Sequence, residues 1–191
     1  SVFADGGYRV EPRLITRITD QRGKVLLDVP AKPLDEAMHG LPERNAFVMT
    51  TMLQEVTRSG TAARAQATLK RADIYGKTGT TNDSMDAWFA GFHPTLTAIV
   101  CIGYDTPRKL GDRETGGGLA LPVWIDFMGR ELRGVPVVPL VPPPGVVQQG
   151  VGWVYEEYAN GAGVASVGLD EQVPRTPSTD ERNGILDLFR R

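Results

Sequence analysis

The 191-residue chain has 41% hydrophobic residues, 23% charged residues and a formal net charge of -2, enough apolar material for one ordinary globular core. That near-neutral balance argues against a nucleic-acid partner, and the sequence has no run of about 18 apolar residues that would make a membrane contact. Cys101 is the single cysteine, which excludes an internal disulfide and a cysteine-cluster metal site, and its apolar setting predicts a plain core residue. His39 and His93 stand isolated in sequence, so a histidine metal site is not expected.

The N-terminal residues lack an initiator methionine and the basic and apolar regions of a signal peptide, so the chain reads as a piece of something longer. Residues 8–28 read as a β-hairpin. Leu14, Thr16 and Ile18 alternate with Arg13, Ile15, Arg17 and Thr19, the return strand holds Val25 and Leu27, and Asp20-Gln21-Arg22-Gly23 supplies the turn. Arg9, Arg13, Arg17, Arg22 and Lys24 are read as the wet face of this small sheet rather than as a binding patch.

A proline-punctuated connection over 30–42 leads into a predicted helix. Asn45 serves as its N-cap, Met49, Met52, Leu53 and Val56 form its core-facing stripe, and Gly60 closes it. Residues 61–69 extend as a second short helix, with Arg64 a charge close in sequence to the strand that follows. Three strand candidates come next, at 74–81, 87–92 and 96–104, joined by connections short enough for antiparallel neighbours. The third is almost unbroken apolar sequence, which predicts a central strand buried on both faces.

Residues 115–118 read as a flexible glycine turn, in preference to an anion site, ahead of a helix with Pro122 near its first turn. Its apolar stripe is Val123, Trp124, Phe127, Met128 and Leu132, and Gly134 ends it. Pro136, Pro139, Pro142, Pro143 and Pro144 then mark an extended linker. Residues 145–191 read as largely disordered, with Trp153, Tyr155 and Tyr158 as the anchors and one short apolar run at 185–189.

The chemistry concentrates in Gly76-Lys77-Thr78-Gly79-Thr80-Thr81-Asn82-Asp83. A phosphate-binding loop would need glycine where Arg71 stands and a helix beginning at Lys77, whereas Gly79, Thr80 and Thr81 are poor helix formers followed by turn residues. The remaining reading is the Lys-Thr-Gly strand of serine enzymes that recognise penicillin. Strand alternation puts Lys77 and Gly79 on one face and Thr78 and Thr80 on the other.

Five stretches agree with that reading in order: VFADGGYRVEPRLI, the helix with GTAARA, GKTGTTND, SMDAWFAGFHP and TGGGLALPVWIDFM. Together they resemble the C-terminal half of the transpeptidase domain of class A, bifunctional penicillin-binding proteins. The resemblance covers about residues 1–133, leaving 134–191 as a proline-rich linker and C-terminal tail. It implies an α+β fold, an antiparallel sheet covered by helices as in the serine β-lactamases, preceded here by the hairpin and followed by the irregular tail. It also implies a D-alanyl-D-alanine transpeptidase acting on peptidoglycan stem peptides outside the cytoplasmic membrane, inhibited by β-lactams, with no cofactor and no metal.

On the same footing, Lys77 is implied to be the cation that steadies the site and draws the substrate carboxylate. Thr78 and Thr80 would donate hydroxyl hydrogen bonds to that carboxylate, the N–H of Thr80 would form half of the oxyanion hole, and Gly79 would leave the ligand unobstructed. The Ser-x-x-Lys and Ser-x-Asn motifs of the family are absent from this sequence, so the upstream half of the same protein is the implied source of the nucleophile. A D,D-carboxypeptidase or β-lactamase relative, and a non-catalytic wall-binding module, are the alternatives. Taken alone, the segment is expected either to pack against another part of the protein or to show an apolar patch beside Lys77.

Overall fold

Asp20 organises the first hairpin, its side chain accepting from the amides of Arg22 at 2.8 Å and Lys24 at 2.9 Å while Gly23 takes a φ of 79°. The strands so joined are β1 (Arg17–Thr19) and β2 (Val25–Asp28), antiparallel and shorter than the sequence suggests, because the Pro12-containing stretch before them is irregular. The computed structural model describes residues 2–30, 32–112 and 114–161. Of the basic residues expected on the wet face of this sheet, Arg17 pairs with Asp28 in the open at 3.0 Å, whereas Arg13 is half-buried ahead of the strands and donates to the carbonyls of Val29 and Pro30.

Helix α1 (Glu43–Arg58) begins two residues before the expected cap. Pro42 is the N-cap instead, its carbonyl accepting from Asn45 at 2.9 Å and Ala46 at 3.0 Å, while Glu43 and Arg58 match the helix dipole. The buried face is also rotated from the expected stripe. Ala46, Phe47, Thr50 and Thr57 are buried, whereas Met52 is 56% exposed; of the expected stripe Val56 packs against the core, and Thr57 donates to the Ile74 carbonyl just ahead of β3. Helix α2 (Arg64–Leu69) follows and ends at Lys70 in the left-handed conformation.

The central sheet has the order β3-β4-β5, with β3 (Tyr75–Thr80), β4 (Asp86–His93) and β5 (Leu96–Gly103) all antiparallel. Helix α3 (Leu121–Glu131) and α2 cover one face. Trp124 is the centre of that layer, fully buried, edge-on to Phe89 at 4.9 Å and donating from Nε1 to the Ala98 carbonyl at 3.0 Å. Ala62, Ala65, Ile74, Leu121 and Met128 close around it.

Three expectations about this layer are corrected. Strand β5 has β4 as its one neighbour among the described residues, and its residues alternate between half-buried and exposed rather than being buried on both faces, since α3 covers one side. Cys101, expected in the core, therefore lies exposed on the uncovered side. In α3 the inward residues are Leu121, Trp124, Ile125 and Met128, while Val123 and Phe127 are 51% and 42% exposed on the helix's outer side.

Part of the described chain after α3 is ordered as well. Strands β6 (Val146–Gln149) and β7 (Gly152–Tyr155) form a second hairpin where disorder was expected. Trp153 meets Phe47 of α1 edge-on at 5.1 Å, and Arg44 stacks over Tyr155 at 4.6 Å, so two of the three expected anchors act as such. The chain divides into two units, Ser1–Tyr155 and Glu156–Arg191. In the second, the described residues hold a 3-10 turn, Glu156–Tyr158, which includes the third expected anchor. The expectations for 162–191, including the apolar run at 185–189, fall outside the described residues.

Candidate active site

Strand β3 is at the sheet edge, so alternate backbone groups along it point away from β4. The register puts Thr78 opposite Phe89 and Thr80 opposite Ala87, on the face covered by helices. Lys77 is opposite Ala90 and Gly79 opposite Trp88, on the other face, where Ala90 is followed across the sheet by Ile99 and Trp88 by Cys101. Trp88 is 41% and Ile99 62% exposed, giving the apolar patch beside Lys77 that the sequence predicts as one of two outcomes.

The exposed Lys77 side chain turns back along the strand edge, donating to the Thr78 carbonyl at 2.9 Å and reaching Thr78 Oγ1 at 3.4 Å. Its ammonium and the two threonine hydroxyls thus line one short stretch of chain. Thr80 Oγ1 accepts from the Gly116 amide at 3.1 Å, which leaves the Thr80 hydroxyl proton free to donate elsewhere.

Gly116 begins a π-helical turn, Gly116–Ala120, that leads directly into α3. Thr115 caps it, its side chain accepting from Gly118 at 3.2 Å. The expected flexible turn is thus a fixed one, and its glycines serve close approach. A Cβ on Gly116 would lie 2.5 Å from the Gly79 carbonyl oxygen. Thr61, at the corner between α1 and α2, closes the arrangement with a 2.8 Å hydrogen bond between its hydroxyl and that of Thr78. Arg64 is exposed at the start of α2, so the link from this segment to the strand comes from Thr61 instead.

Just before β3, a buried ionic cluster fixes the strand's origin. Arg71 grips Asp73 with two hydrogen bonds, at 2.7 and 2.8 Å, and His93 Nε2 meets the same carboxylate at 3.0 Å. His93 is therefore not isolated in space. The amide of Val138 donates to Asp73 at 2.8 Å, and Arg71 donates to the carbonyls of Leu132, Val135 and Pro136. Burial alone would raise the Asp73 pKa, but the Arg71 and Val138 hydrogen bonds and the nearby positive charge hold it down to about 2. Tyr75, at the start of the strand, is pushed up to about 12 by burial and by Asp73.

The sequence-predicted residues Lys77, Thr78, Gly79 and Thr80 are thus assembled on one edge, and the residues that sequence reading missed are those that hold them: Thr61, Asp73 and Gly116. The pairing of GTAARA and TGGG with the Lys-Thr-Gly strand in one pattern was the available signal. A cavity of about 280 Å³ bounded by Phe47, Tyr75, Phe92 and Val138 and a groove of about 970 Å³ along residues 9–16 and 29–40 do not include residues 77–80 in their linings. Among the described residues no cluster of three or more His, Cys, Asp or Glu side chains is assembled to hold a metal ion.

Residues 1–128 match the family described as the penicillin binding protein transpeptidase domain. Penicillin-binding protein 1A of Neisseria flavescens is 46% identical over 156 residues, 81% of this chain and 19% of that protein. The Pseudomonas aeruginosa protein of the same name is 34% identical, over 99% of this chain and 30% of its own length. In three dimensions the chain is similar to crystalline penicillin-binding protein 1A from Haemophilus influenzae, with a TM-score of 0.68 and 32% identity over 76% of this chain and 27% of that one. A D,D-transpeptidase domain of a peptidoglycan glycosyltransferase from Eggerthella lenta gives 0.51 at 25% identity, over 71% of this chain and 31% of that one. The chain therefore spans less than a third of the length of these relatives, and within that span it belongs to the penicillin-binding-protein transpeptidase family.

Proposed function

We propose that this chain is part of a peptidoglycan D-alanyl-D-alanine transpeptidase, on the extracytoplasmic face of the bacterial inner membrane, and that it supplies the Lys-Thr-Gly wall of the active site. Residues 1–133 form the C-terminal portion of the transpeptidase domain and 134–191 the segment that follows it. The observation that carries the reading is the edge of β3, where the Lys77 ammonium and the Thr78 and Thr80 hydroxyls line one exposed stretch and both hydroxyls are held by neighbours.

Lys77 supplies positive charge at the place where a stem peptide or a β-lactam presents its carboxylate, and Thr78 and Thr80 donate hydroxyl protons to it. The Thr80 N–H, on the same strand edge, steadies the oxyanion that forms when a serine from the upstream half of the protein attacks the substrate carbonyl. Gly79 keeps the strand narrow beside the ligand. A labelled penicillin gives a stoichiometric covalent adduct with the complete protein and none with the 1–191 chain, which has no serine three residues before a lysine. No adduct on the complete protein, or one on 1–191, would overturn the reading.

A further inference from the structure

We propose that Thr61 is a positioning residue for this site, aligning the Thr78 hydroxyl so that its proton points at the substrate carboxylate; this rests on the function proposed above. A hydroxyl has one proton and two acceptor positions. The Lys77 ammonium, which can only donate, lies 3.4 Å from Thr78 Oγ1 and takes one acceptor position. Thr61 Oγ1 lies 2.8 Å away on another side. When an anion approaches, the low-energy arrangement has Thr61 donate into the second acceptor position, leaving the Thr78 proton directed outward. Without Thr61, the Thr78 hydroxyl rotates among several acceptors, and part of each binding event goes to reorienting it.

The corner that carries Thr61 is rigid enough for this task. The amides of Ser59 and Gly60 both bond the Glu55 carbonyl, that of Ala62 bonds the Val56 carbonyl, and the adjacent Ala62 and Ala65 are fully buried. On the other side the glycine turn presses close, since a Cβ on Gly117 would lie 3.1 Å from the Thr61 carbonyl oxygen. Thr61 is itself exposed, so its side chain holds up no core and its effect runs through Thr78.

The test measures second-order acylation of the complete protein by a penicillin and by its methyl ester, which lacks the free carboxylate. Thr61→Val lowers the penicillin rate roughly five- to tenfold, the scale of one net hydrogen bond, and leaves the ester rate unchanged. Thr61→Ser restores the penicillin rate to within about twofold. Equal losses for penicillin and ester, no loss at all, or a serine variant as slow as the valine one would overturn the proposal. If the valine variant melts early, Thr61→Ala repeats the comparison without the branched methyl. Failure of the unaltered protein to acylate sinks the proposed function and this inference together, whereas normal acylation that ignores position 61 sinks only the inference.

Discussion

Gly116 sits against Trp88 with no room for a side chain, since a Cβ at 116 would lie 2.2 Å from the Trp88 carbonyl oxygen. Both clashing neighbours, at 88 and 79, are backbone, so rotamer changes cannot relieve them. Gly116→Ala must move the π-helical turn off the strand and stretch the amide bond to Thr80. The expected outcome is a loss of about 1–3 kcal/mol in thermal unfolding, typical of overpacking, with acylation of the complete protein falling by about tenfold or more. A variant that melts and acylates normally would show that the turn has slack.

Asp73 gives the cleanest pH signature. Its pKa is about 2 when folded against 3.8 for the free side chain, so its contribution to stability is fully present above about pH 4. As pH falls from there toward 2 the carboxylate must protonate, and about 2 kcal/mol is lost. Acid unfolding of the complete protein followed by fluorescence should show this loss, and Asp73→Asn should flatten the slope over the same range.

Lys77→Ala in the complete protein lowers the acylation rate by a factor on the order of 10²–10³, the cost of one preorganised charge-stabilising donor. Thr80→Val acts more mildly, because it keeps the backbone N–H and removes only a hydroxyl. Stopped-flow acylation with intact folds by circular dichroism decides both. An unchanged rate for the lysine variant refutes its role.

The face of the sheet beside Lys77 and the first hairpin predict how the 1–191 chain behaves alone. Trp88 and Ile99 are joined in exposure by Leu14 at 98% and Leu26 at 62%, with no helix over them among the described residues. Every hundred Å² left bare forgoes about 2.5 kcal/mol. The purified segment should bind a hydrophobic dye and melt without a sharp transition, and a cooperative, dye-free monomer would count against this.

The three successive antiparallel strands, the helices and the place of the Lys-Thr-Gly triplet on the first of those strands were legible in the sequence because alternation, glycine punctuation and turn residues are local signals. What was not legible depended on cover. The stripe of α1 was only partly right, with Val56 against the core but Met52 exposed, because small or polar Ala46, Thr50 and Thr57 give no apolar signal although they are buried, and the burial of β5 was misread because a strand covered on one face can have the same composition as one covered on both. Thr61 and Gly116 were missed as individual site residues, although their stretches stood beside the triplet in the pattern, because their meaning lies in a 2.8 Å hydrogen bond to Thr78 and in a backbone approach too close for a Cβ, both between segments far apart in the chain. The hairpin after the prolines was lost for a similar reason, since Phe47 and Arg44 of α1, far away in sequence, give Trp153 and Tyr155 somewhere to rest.

The stretch after α3 also decides how short a reactive fragment of such a protein can be. The family match stops at residue 128, yet the guanidinium of Arg71, nearly out of reach of water, depends on carbonyls at 132, 135 and 136, and Asp73 depends on the amide of 138. A chain trimmed at the edge of the match would leave a tightly paired charge short of acceptors just six residues ahead of Lys77, with the Phe47 side of α1 also uncovered. Penicillin acylation measured on such a trimmed protein would report the loosened strand, and its weakness would be mistaken for a property of the proposed site residues.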